Sequence, residues 1–245
     1  MPEIDRSQIA LRDSAAADFD AWYASRGWWA DVEMRELLGR FALQPQDSVA
    51  DIGCGTGRLV SVIAPLVSHL YAGDFSSVSV DIVREKCRQA VWGDRVTPLV
   101  ADMSQPLRLE TASVDKVISL QAYQHVSPEG RVTALNEFRR ILKPGGRLFI
   151  EVYAYPSWVF AANVPQEGLI GGALYYRRWT ADELRQDVSA AGFNVLDVYP
   201  IVCWPQLRRL GTLGTWLELA VHRRIMPMSK PAYWLIEAIR PDDGE

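Results

Sequence analysis

Val49-Ala-Asp-Ile-Gly-Cys-Gly-Thr-Gly-Arg-Leu59 is the stretch that decides the fold of this chain. A short apolar run leads directly into glycines at positions 53, 55 and 57, a pattern typical of a buried strand that turns sharply into a helix. Glycine has no Cβ, so the backbone of such a turn can approach a ligand closely. We expect the helix to begin near Thr56 and to direct its free N–H groups and the positive end of its dipole at that ligand.

The charges around this turn predict a ligand with an amino-acid moiety. Asp51 lies on the strand just before the turn, where its carboxylate can meet an ammonium group, whereas the start of the helix suits a carboxylate. The spacing G-x-G-x-G differs from the G-x-G-x-x-G of dinucleotide folds, because Arg58 takes the position of the third glycine. This difference disfavours a nicotinamide dehydrogenase. A tight turn without a ligand is the structural alternative.

Short apolar runs alternate with amphipathic helical patterns on both sides of this turn. Such alternation predicts an α/β fold of the Rossmann-like kind, with a mostly parallel sheet covered by helices on both faces. Pro98 places the third strand at an edge of the sheet, because proline cannot donate a ladder hydrogen bond. The strands are predicted at residues 47–52, 69–74, 95–101, 114–120, 147–153, 193–199 and 233–239.

The helices of the second half have clear start and stop signals. Thr180 is predicted to cap a helix that runs to Ala191, with Glu183 at the capping-box position. A long amphipathic helix is predicted at 205–226, and its role is open between a cap, a dimer contact and a surface contact.

We interpret the chain as one domain. Its parts are an N-terminal helical cap (1–44), a cofactor-binding core (45–153), a lid or insertion (154–178) and a C-terminal half (179–245).

Two further acidic residues follow predicted strands. Asp74 ends the second strand, where a carboxylate can accept hydrogen bonds from both hydroxyls of a ribose. Asp102 ends the third strand and is followed by Met103, so that a carboxylate can accept from an exocyclic amine while the thioether covers an adenine face. Each has a plainer interpretation as a turn or loop residue. Together with the glycine turn, both favour a nucleoside ligand.

Successive motifs resemble those of class I S-adenosylmethionine-dependent methyltransferases, over roughly residues 45 to 200. Within this class the chain is similar to the large small-molecule methyltransferase group, of the kind called methyltransferase type 11-like. The motifs are Ala50-Asp-Ile-Gly-Cys-Gly-Thr-Gly57, Gly73-Asp-Phe-Ser76, Ala101-Asp-Met103, Asp115-Lys-Val-Ile-Ser119 and Glu137-Phe-Arg-Arg-Ile-Leu-Lys-Pro-Gly-Gly-Arg-Leu148.

The resemblance implies a seven-stranded sheet with the last strand antiparallel, S-adenosyl-L-methionine as cofactor and S-adenosyl-L-homocysteine as product. It implies that the methionine end lies against the strand and turn, the ribose near Asp74 and the adenine near Asp102 and Met103, with Gln121 beside the cofactor. The predicted cofactor-binding residues are Asp51, Gly53, Cys54, Gly55, Gly57, Asp74, Phe75, Asp102, Met103 and Gln121.

The acceptor side is less defined by the sequence. His125 follows the fourth strand and has two interpretations, a general base or a histidine that packs at the head of the next helix. We favour the structural role, because the family often has a histidine here across many acceptor types. Aromatic side chains can clamp a flat acceptor, or they can be ordinary core packing. The predicted substrate-binding residues are Trp22, Tyr23, Trp28, Tyr153, Tyr155 and Tyr176.

Composition narrows the function further. The formal net charge of -4 disfavours a nucleic-acid partner, and no apolar run has the length of a transmembrane segment. Three cysteines do not make a disulfide framework or a metal site, so we expect no metal and a cytoplasmic location. The prediction is methyl transfer to an oxygen, nitrogen or carbon of a small molecule. The alternatives are an RNA-modifying methyltransferase and a non-catalytic S-adenosylmethionine-binding protein. The oligomeric state, monomer or homodimer, stays open.

Overall fold

A seven-stranded sheet forms the centre of the molecule. The computed structural model describes residues 6–202, 204–221 and 230–242. The strands of this sheet are β1 (Ser48–Ile52), β2 (His69–Asp74), β3 (Val96–Val100), β4 (Val114–Leu120), β5 (Leu142–Tyr153), β8 (Asn194–Ile201) and β9 (Tyr233–Ile239), and they lie in the order β3-β2-β1-β4-β5-β9-β8. β1 to β5 pair in parallel, whereas β9 is antiparallel to both of its neighbours. The predicted fold class is confirmed, and β3 with Pro98 is an edge strand as expected.

Helices cover both faces of this sheet. They are α1 (Arg6–Ser25), α2 (Trp28–Phe41), α3 (Val60–Ile63), α4 (Ser77–Gln89), α5 (Pro128–Ile141), α6 (Ala181–Ala190) and α7 (Gly211–Val221). α6 begins at the predicted capping box, in which the side chains of Thr180 and Glu183 each accept from the other's backbone N–H. The prediction of a helix starting near Thr56 is wrong. α3 begins at Val60, because Gly55 and Gly57 have φ of 55° and 86°, outside the helical region.

The core has two apolar layers, one on each face of the sheet. β5 shows the alternation, since Leu148 and Ile150 face the layer under α5 and α6, whereas Phe149 faces the layer under α2 and α3. In the second layer the rings of Phe149 and Phe41 meet edge to face, with centroids 5.0 Å apart. This alternation has a consequence for Glu151, which is also buried and points to the same side as Phe149. A carboxyl group therefore lies among the apolar residues near the end of β5.

The predicted lid at 154–178 contains a hairpin of two strands that the sequence analysis did not anticipate. β6 (Glu167–Ile170) and β7 (Leu174–Arg177) pair in antiparallel register, with Leu169 opposite Tyr175. The carbonyl oxygen of Tyr175 lies 2.7 Å from Nδ1 of His125. The hairpin is thereby attached to the loop that follows β4.

The predicted helix at 205–226 is broken near its start. A three-ten turn covers Pro205–Leu210, and α7 follows after a change of direction at Gly211, whose φ is 54°. Residues 222–226 of this prediction lie outside the described residues. Within the described ranges, no helix is both long and apolar enough to cross a bilayer.

The capping box of α6 gives a first testable prediction. Thr180→Ala removes the hydroxyl that accepts from Glu183 N, so we expect the free energy of unfolding to fall by about 1 kcal/mol. Thr180→Ser retains the hydroxyl and serves as the matched control, with a change of less than about 0.5 kcal/mol. Urea unfolding followed by circular dichroism measures both. Equal destabilisation by the two variants would contradict the capping role.

Candidate active site

The loop after β1 is held by backbone contacts to β2. Gly53 N and Cys54 N both donate to the carbonyl oxygen of Gly73, at 2.7 and 3.0 Å. A Cβ on Gly53 would lie 2.2 Å from Cβ of Ala122, and the φ of Gly53 is 85°. Any other residue there would clash with the segment after β4 and would strain the backbone. The loop therefore lies close against the ends of β2 and β4, where a cavity of about 230 Å³ opens.

Asp51 has a strongly raised pKa in this cavity. Its side chain is buried, and within the described ranges its Oδ2 has no hydrogen-bond partner. Burial raises the pKa of Asp51 to about 7, and the charge of Asp74 adds to this rise, while Arg58 opposes it. A desolvated carboxylate without a partner strongly favours a cation beside it. The predicted contact with an ammonium group fits this environment.

Asp74 and Asp102 are each positioned by backbone N–H groups. The two carboxylate oxygens of Asp74 accept from Gly55 N and Ser76 N, both at 2.9 Å. Burial is the main reason that the pKa of Asp74 is raised, and the two N–H donors oppose this rise. Oδ1 of Asp102 accepts from the backbone N and the hydroxyl of Ser104, at 2.8 and 2.7 Å. Both side chains line the cavity.

The structure brings the predicted cofactor-binding residues together around one cavity, with one exception. Gly57 does not line it. A Cβ at that position would instead lie 3.1 Å from Val83, so Gly57 allows the loop to pack under α4. The others, all in the lining, are Asp51, Gly53, Cys54, Gly55, Asp74, Phe75, Asp102, Met103 and Gln121.

A buried charged network lies behind the loop and was not predicted. Nη2 of Arg58 donates to Oε1 of Glu33 on α2 at 2.8 Å, and Nε2 of Gln121 donates to the same oxygen at 2.7 Å and to Glu151 at 3.1 Å. Burial, followed by the charge of Glu33, raises the pKa of Glu151 well above its ordinary value. Burial and the charge of Glu33 therefore favour the protonated form of Glu151. Tyr23 completes the network, with its ring 4.2 Å from the Arg58 guanidinium.

Helix α1 covers the cavity and contributes Arg12, Phe19 and Tyr23 to its lining. Two acidic residues attach the helix to the loop after β1 and to α4 with its N-cap. Near its middle, Asp13 accepts from the hydroxyl of Ser76, and further along Asp20 accepts from Thr56 Oγ1 at 2.7 Å and from Lys86 Nζ at 2.6 Å. The sequence analysis placed a cap in this region but missed Arg12 and Phe19. Their only sequence signal was their place in a partly amphipathic helix.

His125 lines the cavity in a fully hydrogen-bonded state. Its Nδ1 is 2.7 Å from the carbonyl oxygen of Tyr175, and its Nε2 is 3.3 Å from Nε2 of Gln124. The carbonyl accepts from Nδ1 and the amide donates to Nε2, so the ring is the neutral Nδ1–H tautomer. Burial, followed by the charge of Arg12, lowers the pKa of His125 to about 3. This arrangement fits the structural interpretation better than that of a general base.

Of the aromatic residues predicted on the acceptor side, Tyr23 lines the cavity. Trp28 donates to Thr215 at 2.8 Å, and Tyr155 lies under the Arg178 guanidinium. The remaining contacts are ring packing. Tyr153 stacks on Tyr233, and Tyr176 stacks on Phe160. The side chain of Trp22 lies outside the described part of the structure.

The cavity fits the methionine end of S-adenosylmethionine. Oδ2 of Asp51 and Nη1 of Arg58 are buried, and among the described residues neither has a hydrogen-bond partner. An orphaned carboxylate oxygen and an orphaned guanidinium N–H in one lining match the ammonium and the carboxylate of an amino acid. Asp102 and Met103 lie in the same lining, where they can meet a nucleoside.

Comparison with known proteins supports the same class. Residues 49–146 match the family described as a methyltransferase domain. An O-methyltransferase of Pyrenophora dematioidea is 26% identical over 208 residues, which cover 75% of this chain and 73% of that protein. The mouse tRNA (carboxymethyluridine(34)-5-O)-methyltransferase ALKBH8 is 38% identical over 114 residues. These cover 46% of this chain but only 16% of that protein.

Two solved structures share the fold. A methyltransferase of Haloferax volcanii, in complex with the Trm112 activator, aligns with a TM-score of 0.68 and 22% identity, over 94% of this chain and 98% of that one. The 1,6-didemethyltoxoflavin-N1-methyltransferase of Burkholderia thailandensis, with bound S-adenosylhomocysteine, aligns with a TM-score of 0.64 and 17% identity, over 99% and 92%. The matched segment and the sheet define a class I methyltransferase domain, the class whose cofactor is S-adenosylmethionine. The class and the cofactor predicted from the motifs are confirmed.

The pKa of Asp51 predicts how cofactor binding depends on pH. The group is uncharged well below pH 7, so the affinity for S-adenosylhomocysteine should rise about tenfold from about pH 6 to about pH 8. Isothermal titration calorimetry across this range measures the effect. Asp51→Asn should bind weakly with a flat profile. A wild-type profile as flat as that of the variant would contradict the role of Asp51.

The raised pKa of Asp51 also predicts that the stability of the unliganded protein falls as the pH rises, whereas the affinity for the ligand increases. A carboxyl whose folded pKa is raised binds more protons in the folded state between its unfolded pKa and about pH 7. Stability is therefore lost as the pH rises through this window. At about pH 8 without ligand, Asp51→Asn should raise the free energy of unfolding by roughly 2 to 4 kcal/mol. At about pH 4 this gain should vanish. Urea titrations at both pH values measure it, and a destabilised variant at the higher pH is the contrary result.

The attachment of α1 predicts an effect on ligand release. Asp20→Ala removes the contacts to Thr56 and Lys86, so S-adenosylhomocysteine should dissociate about two to five times faster. Asp18→Ala, an exposed position on the same helix, is the matched control and should leave the rate unchanged. Stopped-flow displacement measures both rates. Equal rates in the two variants would show that α1 does not retain the ligand.

Proposed function

We propose that this protein transfers the methyl group of S-adenosylmethionine to an oxygen, nitrogen or carbon of a small molecule. The observation that carries the proposal is that the polar ends of β1, β2, β3 and β4 converge on one cavity, and α1 covers it. The apolar and aromatic character of this cover suits a compact acceptor. Phe19, Tyr23, Val126 and Leu174 lie in the same lining as Asp51 and Asp74.

In this proposal, Asp51 holds the ammonium group of the cofactor and the free Nη1 of Arg58 meets its carboxylate. Asp74 accepts from the ribose hydroxyls, and Asp102 accepts from the adenine amine. These contacts fix the position of the reacting carbon. Positioning of this kind supplies a large part of the rate in bimolecular reactions. The residues of this chain therefore act mainly by orientation.

The cofactor supplies an electrophilic methyl group on a positively charged sulfur. When bound, the cofactor would supply this methyl group with its sulfur as the leaving group, and Asp51, Arg58, Asp74 and Asp102 would hold it in place. In the proposal, α1 excludes bulk water from the reacting atoms. His125 keeps the loop between β4 and α5 in place through Tyr175 and Gln124, because both of its nitrogens are engaged in hydrogen bonds.

An RNA acceptor is the second candidate, and one observation favours it. The mouse tRNA methyltransferase is the more identical of the two relatives, at 38%, although the similarity is confined to 46% of this chain. The O-methyltransferase similarity extends over 75% of the chain, a larger share than the tRNA methyltransferase matches. The net charge of -4 also favours a small acceptor.

Calorimetry with S-adenosylmethionine and S-adenosylhomocysteine tests the cofactor assignment, with NAD and NADP as negative controls. We expect both methyl-cycle ligands to bind and Asp74→Ala to weaken binding by at least about tenfold, because it removes the ribose acceptor and the anchor of Gly55. Asp81→Ala, on the exposed face of α4, is the matched control. A folded wild-type protein that binds neither ligand would refute the proposal.

Labelled S-adenosylmethionine and a cell extract separated by size then distinguish the acceptors. Transfer of the labelled methyl group to the small-molecule fraction is the expected result. Label in the RNA fraction that is sensitive to ribonuclease would establish the second candidate. Binding of the cofactor with no transfer to any fraction would indicate a non-catalytic protein.

A further inference from the structure

Helix α7 buries an acidic side chain and exposes large apolar ones, which is the reverse of an ordinary surface helix. Its acidic residue Glu218 is fully buried, whereas Leu213 and Trp216 are 56% and 62% exposed. Leu213, Trp216 and Ala220 follow the i, i+3, i+7 spacing of one helical face, and all three are exposed. An ordinary surface helix would bury this face and expose the carboxylate.

Contacts on the opposite side hold the helix in this orientation. Glu218 accepts from the backbone N of Trp204, at 3.2 and 3.3 Å for its two oxygens. Thr215 accepts from Trp28 of α2 at 2.8 Å. A Cβ on Gly214 would lie 1.9 Å from the carbonyl oxygen of Leu207, so the helix packs tightly on the preceding three-ten turn. Rotating α7 to bury Trp216 would break all of these contacts.

The three-ten turn just before α7 adds exposed apolar area and positive charge next to this face. Leu210 is 50% exposed, and Arg208 and Arg209 beside it are also exposed. Between residues 205 and 221 the exposed side chains include these two arginines and no acidic group, although the chain as a whole has a net charge of -4. We call this face, made of Arg208, Arg209, Leu210, Leu213 and Trp216, the α7 face.

We propose that the α7 face binds the surface of an anionic lipid bilayer. Leucine and tryptophan side chains beside arginines are the combination with which helices lie in the headgroup region of membranes. Apolar burial supplies part of the attraction, and the arginines add attraction to anionic headgroups.

A second copy of the chain fits this face less well than a bilayer does. In a twofold dimer the same patch meets itself, so Arg208 and Arg209 would be brought near the arginines of the other copy without an acidic partner on the α7 face. The charge of the face therefore favours an anionic surface over self-association.

Vesicle flotation tests the proposal with the full chain. The probes are vesicles of phosphatidylcholine alone and of equal parts phosphatidylcholine and phosphatidylglycerol. We expect wild-type protein to float with the mixed vesicles and not with phosphatidylcholine alone. The double variant Leu213→Ser/Trp216→Ser should bind at least about tenfold more weakly, because two large apolar side chains no longer enter the lipid. Arg208→Glu/Arg209→Glu should show a comparable loss.

The control variant is Val132→Ser on α5, where an apolar side chain is also 62% exposed but lies outside the α7 face. It should float like the wild type. Affinity for S-adenosylhomocysteine reports on the fold of every variant, and it should be unchanged. The proposal is overturned if wild-type protein stays unbound, if the α7 variants float as well as Val132→Ser, or if light scattering shows a dimer that Trp216→Ser dissociates.

Discussion

The close approach of the glycine loop to the segment after β4 is the constraint on which the site depends. At Gly53 there is room for a hydrogen atom and not for a methyl group, since Ala122 occupies the space where a Cβ would lie. Because the loop also bonds to Gly73 and Asp74, the ends of β1, β2 and β4 are joined at one point. The carboxylates of Asp51 and Asp74 are thereby brought into one small volume, where the charge of Asp74 adds to the cost of charging Asp51. Electrostatic strain of this kind is relieved by a cationic ligand.

The sheet was predictable because its signals are local. Each strand is recognisable from a run of apolar residues followed by a turn. Pro98 indicates the edge strand because it has no backbone N–H to donate. The capping box of α6 lies within four residues of sequence. The glycine loop is equally local, and its flanking strand ends follow from the topology of a parallel sheet. The start of α3 was misplaced, because the sequence does not show how many residues of the loop have positive φ.

The rest of the site depends on contacts between distant segments. In sequence, Glu33 and Glu151 resemble ordinary surface residues. No neighbouring residue predicts their hydrogen bonds with Arg58 and Gln121. Arg12 and Phe19 belong to a helix whose amphipathic pattern is weak, so their place over the cavity follows only from how α1 packs. For the aromatic residues, the sequence indicated two clusters but did not show which groups each ring contacts. Several of them pack on one another or on α7 instead of facing the cavity.

Because α1 lies outside the sheet, residues that cover the cavity can change separately from residues at the strand ends. The cavity is lined mainly by strand ends and by the glycine loop, in which Gly53 leaves no room for a side chain, whereas α1 covers the cavity from outside the sheet. Asp13 and Asp20 attach that helix to Ser76 and Thr56, outside the strands. The side chains with which it faces the cavity can therefore change while the strands stay in place. Under the proposed function, changes in this one helix would alter the acceptor and leave the cofactor contacts unchanged.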